Sequence, residues 1–268
     1  MTTTANFTTI TMCVEDHIAT ITIDREDVLN AFNEQFSGEF ISALKQVSRD
    51  ADVRVVVLKG AGRAFSSGQD LGDLEATYVP GHTPCLGDDL RKRYDPWVKL
   101  IRTMQKPVIA AVNGVAAGAG CSLALACDLR IASEHAKFIE VFINVGLIPD
   151  SGSTWTLPRI VGLGRAMEMC LTGRPVGADE ALAIGLVNQT VPADELDAAV
   201  SKIASRLASL PSRAIGLTKR LLNESFERSL TAQLEAEAFA QETAGRTTDH
   251  FEGVTAFLQK RAPEFTGE

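Results

Sequence analysis

Lys106–Asp150 reads KPVIAAVNGVAAGAGCSLALACDLRIASEHAKFIEVFINVGLIPD, and its first half decides the fold. KPVIAAVNG (Lys106–Gly114) is apolar and carries β-branched residues, the pattern of a buried strand. VAAGAG (Val115–Gly120) follows as a turn of small residues. CSLALACD (Cys121–Asp128) is short and apolar and reads as the start of a buried helix. Strand, turn and helix N-terminus together leave backbone N–H groups without intrahelical acceptors and aimed at a ligand. Such donors suit an oxygen that gains negative charge during a reaction. Gly118–Gly120 has a plainer reading as well, a packing turn where helix meets strand. Leu129–Ser133 and Ala136–Glu140 read as short strands. GLIPD (Gly146–Asp150) then delivers a carboxylate on a turn stiffened by proline. Asp150 has two readings of its own: an acid/base group, or an N-cap for a helix over Ser151–Val161. Both roles at once are not expected, because a capping carboxylate is held ionised and is a poorer base.

Upstream, Thr8–Val14 and His17–Asp24 alternate apolar and polar residues and predict a hairpin around Glu15 and Asp16. Phe36, Phe40, Ile41, Leu44 and Val47 recur at helical spacing within Ala31–Arg49, with Asn33 placed to cap it. Val53–Lys59 is a buried strand. Ala64–Leu71 (AFSSGQDL) leads out of the turn at Gly60–Arg63. Glu75–Asp89 mixes proline, glycine and charge without a period and reads as a lid. Leu90–Met104 is helical, with Tyr94, Trp97, Leu100 and Ile101 on one face.

Downstream, helices are expected over Gly164–Leu171 and Pro175–Ile184, and a strand over Val187–Val191. A helix over Pro192–Leu210 turns Leu196, Ala199, Ile203 and Leu207 inward. Strand signals stop near Pro211. Arg213–Arg246 predicts one long alanine-rich helix and Thr247–Arg261 a last one. The expected division is therefore a core of residues 1–210 and a helical region of residues 211–268.

Composition sets the outer bounds. The chain has 268 residues, 45% hydrophobic and 22% charged, with net charge −8 and no dense Lys/Arg cluster. That argues against nucleic acid or an anionic membrane as partner. No apolar run is long enough to span a bilayer, and the N-terminus lacks the regions of a secretory signal. Five cysteines with no CxxC pair fit free thiols in a cytoplasmic setting. Four scattered histidines give no metal spacing, so no metal site is expected. Cys121 and Cys127 read as small core residues. Ser66 and Ser67 lack the GxSxG setting of a nucleophile.

Five stretches, in order, resemble the crotonase superfamily, the enoyl-CoA hydratase/isomerase family. They are DREDVLNAF (Asp24–Phe32), GAGRAFSSGQDL (Gly60–Leu71), KPVIAAVNGVAAGAGCSLALACDLRIAS (Lys106–Ser133), GLIPDSGSTWTLPRIVG (Gly146–Gly162) and FLQKRAPEF (Phe257–Phe265). The resemblance spans nearly the whole chain. It implies an α/β spiral of ββα repeats with a helical C-terminal trimerisation region, assembled as a homotrimer or a dimer of trimers. It implies an acyl-CoA substrate and no cofactor beyond the coenzyme A moiety. It also implies two N–H donors to the thioester oxygen, which fall on Gln69 and Ala119. The coenzyme A moiety is expected along Arg25, Val28, Ala31, Ser67, Gln69, Asp70, Leu71 and Lys260, with Arg261 a further candidate for its phosphates.

Hydratases of the family use two glutamates, and their positions fall on Ser122 and Phe142, neither of which ionises. The isomerase position falls on Asp150. FSSGQDL followed by GLIPDSGST most resembles the ring-epoxyphenylacetyl-CoA isomerase branch of phenylacetate degradation, which needs one carboxylate. Glu140, two residues from Phe142 in an extended segment, is the alternative acid and would keep hydration open. A subunit that binds acyl-CoA without chemistry is the third reading.

Overall fold

Four apolar runs of the sequence become neighbouring strands of one sheet. The computed structural model describes residues 7–74, 81 and 85–268. The predicted lid therefore lies outside the described residues, apart from Gly81 and Cys85–Asp89. The strands are β1 (Ile10–Glu15), β2 (Ile18–Ile23), β3 (Val55–Gly60), β4 (Ala64–Ser66), β5 (Val108–Val112), β6 (Val115–Ala117), β7 (Leu129–Ser133), β8 (Lys137–Ile139), β9 (Val176–Gly177) and β10 (Gln189–Val191). The helices are α1 (Glu34–Arg49), α2 (Leu71–Leu74), α3 (Leu86–Asp89), α4 (Asp95–Thr103), α5 (Ala119–Ala126), α6 (Ser153–Val161), α7 (Leu163–Thr172), α8 (Ala178–Ala183), α9 (Leu196–Ala208), α10 (Ser212–Glu224), α11 (Leu230–Gly245) and α12 (Thr248–Gln259).

The predicted hairpin is β1 and β2, paired antiparallel. From β2 onward the sheet is parallel: β3, β5 and β7 lie side by side in the order β1-β2-β3-β5-β7-β10. β4, β6 and β8 lie side by side, also parallel, in a second sheet ordered β4-β6-β8-β9. Each turn of chain thus lays one strand in the large sheet and one in the small sheet before a helical segment returns it. That is the α/β spiral of ββα turns expected from the resemblance.

Both faces of the large sheet are covered, which explains the unbroken apolar runs of β3 and β5. Val56, Leu58, Val108 and Ala110 pack in one core with Phe36, Phe40 and Leu44 of α1. Val55, Val57, Ile109 and Ala111 pack on the other face against Leu196, Val200 and Ala204 of α9. Asn33 caps α1 as expected, its Oδ1 accepting from Phe36 N at 2.8 Å. Phe32, Phe36 and Phe40 stack along that helix at 4.3 and 5.2 Å, and Trp97 of α4 meets Phe40 edge-on at 6.2 Å.

Several boundaries differ from the sequence expectation. Val115–Ala117 is not turn but strand β6, because β4 and β8 supply partners on both sides. The helix after Asp150 starts at Ser153, behind Gly152 at φ 82°, and no side chain caps it. The stripe of α9 is centred on Leu196, Val200, Ala204 and Ala208, with Ala199, Ile203 and Leu207 on its flank. The predicted single helix Arg213–Arg246 is two, α10 and α11. Ser229 starts the second by accepting from Ala232 N at 3.3 Å, a local cap that overrides the helix propensity of the flanking alanines.

The helical C-terminal region is pinned to the spiral by a buried lysine. Lys219 of α10 is 8% exposed. Its ammonium lies 2.7 Å from the Asp128 carboxylate and donates to the carbonyls of Ile101 and Lys106 at 2.7 and 2.9 Å. The last residues fold back onto α12, where Asp249 accepts from Thr266 N and Gly267 N.

Candidate active site

Two turns abut beside the small sheet. The first is Ser66–Asp70. Ser66 is fully buried; its hydroxyl donates to Asn30 O at 2.8 Å and accepts from Gly68 N at 3.1 Å. Phe32 N donates to Gly68 O and Asp70 N donates to Phe32 O, at 2.7 and 3.0 Å. The N–H of Gln69, between these bonded neighbours, has no acceptor among the described residues. Its side chain is held: the Tyr94 hydroxyl donates to Gln69 Oε1, and Gln69 Nε2 donates to Asp70 O at 3.1 Å.

The second turn opens α5. Gly118 sits at φ 51° and donates to Ile139 O at 2.9 Å. Ala119 is the first helical residue, so its N–H lacks an intrahelical acceptor; it has none elsewhere among the described residues. Close packing joins the turns. A Cβ on Gly68, at φ 92°, would lie 2.6 Å from Ala117 O and 3.2 Å from Ala119 N. A Cβ on Gly120 would lie 2.5 Å from Ser66 O. Glycine is required at both positions for the two free donors to come together.

Asp150 is held next to them. Ser122, on the first turn of α5, donates to the carbonyls of Gly118 and Asp150, at 3.3 and 3.1 Å. The Ser122 hydroxyl thus ties the donor turn to the turn that carries Asp150. The Asp150 carboxylate is half-buried and accepts from Ser151 Oγ at 2.8 Å. Ser151 adopts φ 51°, an uncommon conformation for a residue with a side chain, and aims the turn. Burial pushes the Asp150 carboxyl above its ordinary range; the Ser151 hydrogen bond opposes this and the charge of Asp95 adds to it. Asp150 does not cap α6, whose N-cap is Gly152 with no side-chain bond, and the capping alternative is set aside.

Glu140 is elsewhere. The chain turns into a 3₁₀ segment at Val141, so strand alternation does not carry Glu140 to the face of Phe142. Glu140 is completely buried, with Oε1 accepting from Ser153 Oγ at 2.5 Å and Oε2 unpartnered. Phe142 instead reaches Gly118, its Cζ 3.9 Å from where a Cβ there would sit. Burial raises the Glu140 carboxyl, Ser153 and Cys121 oppose the rise, and Asp150 adds to it. The linkage sign follows. A carboxyl raised on folding contributes fully below its unfolded range and loses that contribution as pH rises through its folded value. Glu140→Gln is expected to melt above the wild type at mildly alkaline pH and to converge with it in acid. Thermal melts across pH check this, and a wild type that stays ahead at alkaline pH refutes it.

The residues expected along the coenzyme A moiety divide. Arg25 forms an ion pair with Asp70 at 3.0 Å and donates to Ala31 O, so it orders the loop between them. Asp70 also accepts from Gly72 N at 3.1 Å. The Ser67 hydroxyl donates to Val28 O at 3.2 Å. Arg25, Val28, Ala31, Ser67, Gln69 and Asp70 form one connected rim, with Leu71 exposed beside it. Lys260 ends α12 at φ 55°, and no described contact joins it to that rim. Arg261 is paired with Glu252 at 2.6 Å. The sequence reading missed Tyr94, Ser122 and Ser151 as supports. Their partners are 25, 28 and one residue away, and only the last pairing is local enough to be read. Among the described residues no cluster of His, Cys, Asp and Glu could hold a metal, and no helix is long and apolar enough to cross a membrane.

A spiral of ββα turns with two free N–H donors beside its small sheet places the chain in the crotonase-like class. Residues 14–268 match the model of the enoyl-CoA hydratase/isomerase family, and the chain belongs to that family. It is 43% identical over 255 residues to 1,2-epoxyphenylacetyl-CoA isomerase of Escherichia coli strain K12, covering 95% of this chain and 97% of that protein. It is 37% identical over 254 residues to crotonyl-CoA hydratase of Syntrophomonas wolfei, covering 94% and 95%. The crystal structure of an enoyl-CoA hydratase from Bacillus anthracis superposes with a TM-score of 0.91 at 34% identity, covering 97% of this chain and 100% of that one.

Proposed function

We propose that this protein is an isomerase that moves a double bond along a coenzyme A thioester, with Asp150 as its one acid/base. The thioester oxygen accepts from the N–H groups of Gln69 and Ala119. That polarises the carbonyl and acidifies the neighbouring C–H. The Asp150 carboxylate takes this proton, the C–H electron pair moves into the enolate, and the two donors stabilise the charge on oxygen, each contributing about 3 kcal/mol. Asp150 then returns the proton two carbons away. Nothing is added or lost, and no water is consumed. A carboxyl raised by burial suits both halves of the exchange. Phe142, where the second glutamate would stand in a hydratase, helps to exclude water. Isomerisation of an epoxyphenylacetyl-CoA, the substrate named for the Escherichia coli relative, could draw on the same activated thioester, with opening of the ring epoxide as the bond change.

The observation that carries this reading is the tie from the donor turn through Ser122 to a half-buried Asp150, with Glu140 fully buried against Ser153. The hydratase names among the relatives support the rival reading of water addition, for which Glu140 would have to supply the acid. Solvent-deuterium incorporation into 3-enoyl- and 2-enoyl-CoA esters, followed by mass, separates them. Exchange with double-bond migration is expected. A gain of one water instead would establish hydration, and binding without change in either ester would favour a non-catalytic subunit.

The assembly we propose is a homotrimer or a dimer of trimers, built through the C-terminal helices. Phe239, Phe251, Phe257 and Leu258 are between 69% and 81% exposed in the single chain, which supports their burial between copies. Lys260 would then serve a neighbour's ligand, and light scattering gives the mass. Exposed free thiols at Cys13 and Cys85 support a reducing, cytoplasmic setting.

A further inference from the structure

Between α4, α6 and the end of α10 lies a cavity of about 170 Å³ whose lining includes Arg102, Arg130, Trp155, Arg159, Asn223 and Phe226. The guanidiniums of Arg102 and Arg159 lie over one indole, 5.4 and 4.0 Å from the centroid of Trp155. Arg159 also lies 5.4 Å from the ring of Phe226. Asp128 is the one carboxylate in the lining. It is already engaged by Lys219 at 2.7 Å and by Val108 N at 2.8 Å. None of the three arginines has a carboxylate partner among the described residues.

Arg130 spends its donors on the carbonyls of Leu186 and Cys127. Arg102 meets Asn223 Oδ1 and, at 3.5 Å, Ala126 O, while its Nε is buried without an acceptor. Burial depresses the Arg102 guanidinium, Asp128 offsets this, and Arg159 adds to the depression. Two like charges thus lie against one indole, and the one carboxylate of the lining, Asp128, is already bonded to Lys219, in a chain whose net charge is −8. Aromatic faces attract each cation, but they do not remove the repulsion between the two.

We propose that this cavity binds a small oxyanion of the phosphate class. Guanidinium forks match the geometry of such an anion, and Arg is the side chain best suited to hold it. The volume is below the range of about 300–1,000 Å³ in which drug-sized ligands are held, so an ion or a compact phosphate ester fits and an entire coenzyme A thioester does not. The donors come from α4 and α6, and Asn223 and Phe226 close the cavity from α10 and the turn after it. A bound anion therefore braces the C-terminal helices against the spiral. It also braces α6, which follows directly on the Asp150 turn. The site does not depend on the reaction proposed above.

The test uses the full-length protein and inorganic phosphate at constant ionic strength. Trp155 and Trp97 are the two tryptophans, and only Trp155 lines the cavity. Phosphate is expected to change tryptophan fluorescence saturably, with a Kd below about 1 mM. Trp155→Phe should abolish that signal. Arg159→Gln, at an exposed position, should weaken binding about tenfold or more, and Arg102→Gln likewise. Phosphate stabilises proteins generally at high concentration, so the melting shift that counts is the one present in the wild type and absent from Arg159→Gln. Displacement by glycerol phosphate would identify an ester-borne phosphate as the ligand, and lack of displacement the free ion; either supports the site. No saturable change in the wild type, or equal affinity in Arg159→Gln, overturns it.

Discussion

Asp150→Asn is expected to slow proton exchange at the thioester about a thousandfold, within the range of 10²–10⁴ that general acid–base groups contribute. Binding of coenzyme A esters should change by no more than a few fold. The reason lies in what the amide keeps and what it loses. A carboxamide has nearly the shape of the Asp150 carboxylate, its oxygen can still accept from Ser151 Oγ, and the backbone carbonyl still receives Ser122 Oγ. The turn should survive, and with it the rim that meets the ligand. Proton affinity is lost, and Glu140 does not replace it, because it is fully buried and bonded to Ser153.

The same substitution carries a stability signature of opposite sign. Burial raises the Asp150 carboxyl in the folded chain. Its contribution to stability is complete while the carboxyl is protonated in both states. It is lost as pH rises from the unfolded value through the folded one. At neutral pH the wild type therefore carries the cost of a half-buried charge, and Asp150→Asn does not. The variant should be slow and yet melt higher than the wild type at neutral pH, with the gap closing in acid. In the wild type, the exchange rate should rise with pH until the carboxyl is fully ionised and then level off. Loss of activity together with a lower melting temperature would mean that Asp150 holds the turn instead of moving a proton.

Local signals made most of the scaffold readable. Strand β5 announces itself because both its faces are buried, so no polar residue interrupts Val108–Val112. Asn33 is legible because a cap acts within three residues. Legibility ends where a partner is remote or where two local signals compete. Ser122 reads as a core residue until Asp150 O is brought to it from 28 residues away. Lys219 looks like one more cation of an exposed helix, and only the packing of α10 reveals Asp128 beneath it. At Ser225–Ser229 the helix formers Lys219–Glu224 before it and the alanines of α11 after it favour one long helix, while a serine cap starts a new one. For the acid side the sequence names a candidate only through the resemblance, which sets the two hydratase glutamates at Ser122 and Phe142, neither of which ionises, and the isomerase acid at Asp150, the position that Asp150→Asn tests.

Ala119→Pro is expected to lower turnover about 10²–10³-fold with the fold intact, the range seen when one oxyanion donor is removed. Proline lacks an N–H, and its ring fixes φ near the helical value. The first residue of a helix is the position where it is best tolerated, since the N–H it removes has no intrahelical acceptor. Ala119 is that residue in α5, and no other described group accepts from it. The preceding Gly118, at φ 51° and ψ −124°, has no side chain to collide with the ring. Stability should therefore change little, whereas a proline placed one turn later would break α5. The loss falls on both KM and kcat, because the ring carbon stands where the thioester oxygen would sit. Melting within a few degrees of the wild type, combined with this loss, would assign the donor role to the Ala119 N–H. Full activity in Ala119→Pro would move the oxyanion site away from the α5 terminus and, with it, the enolate mechanism built on that donor.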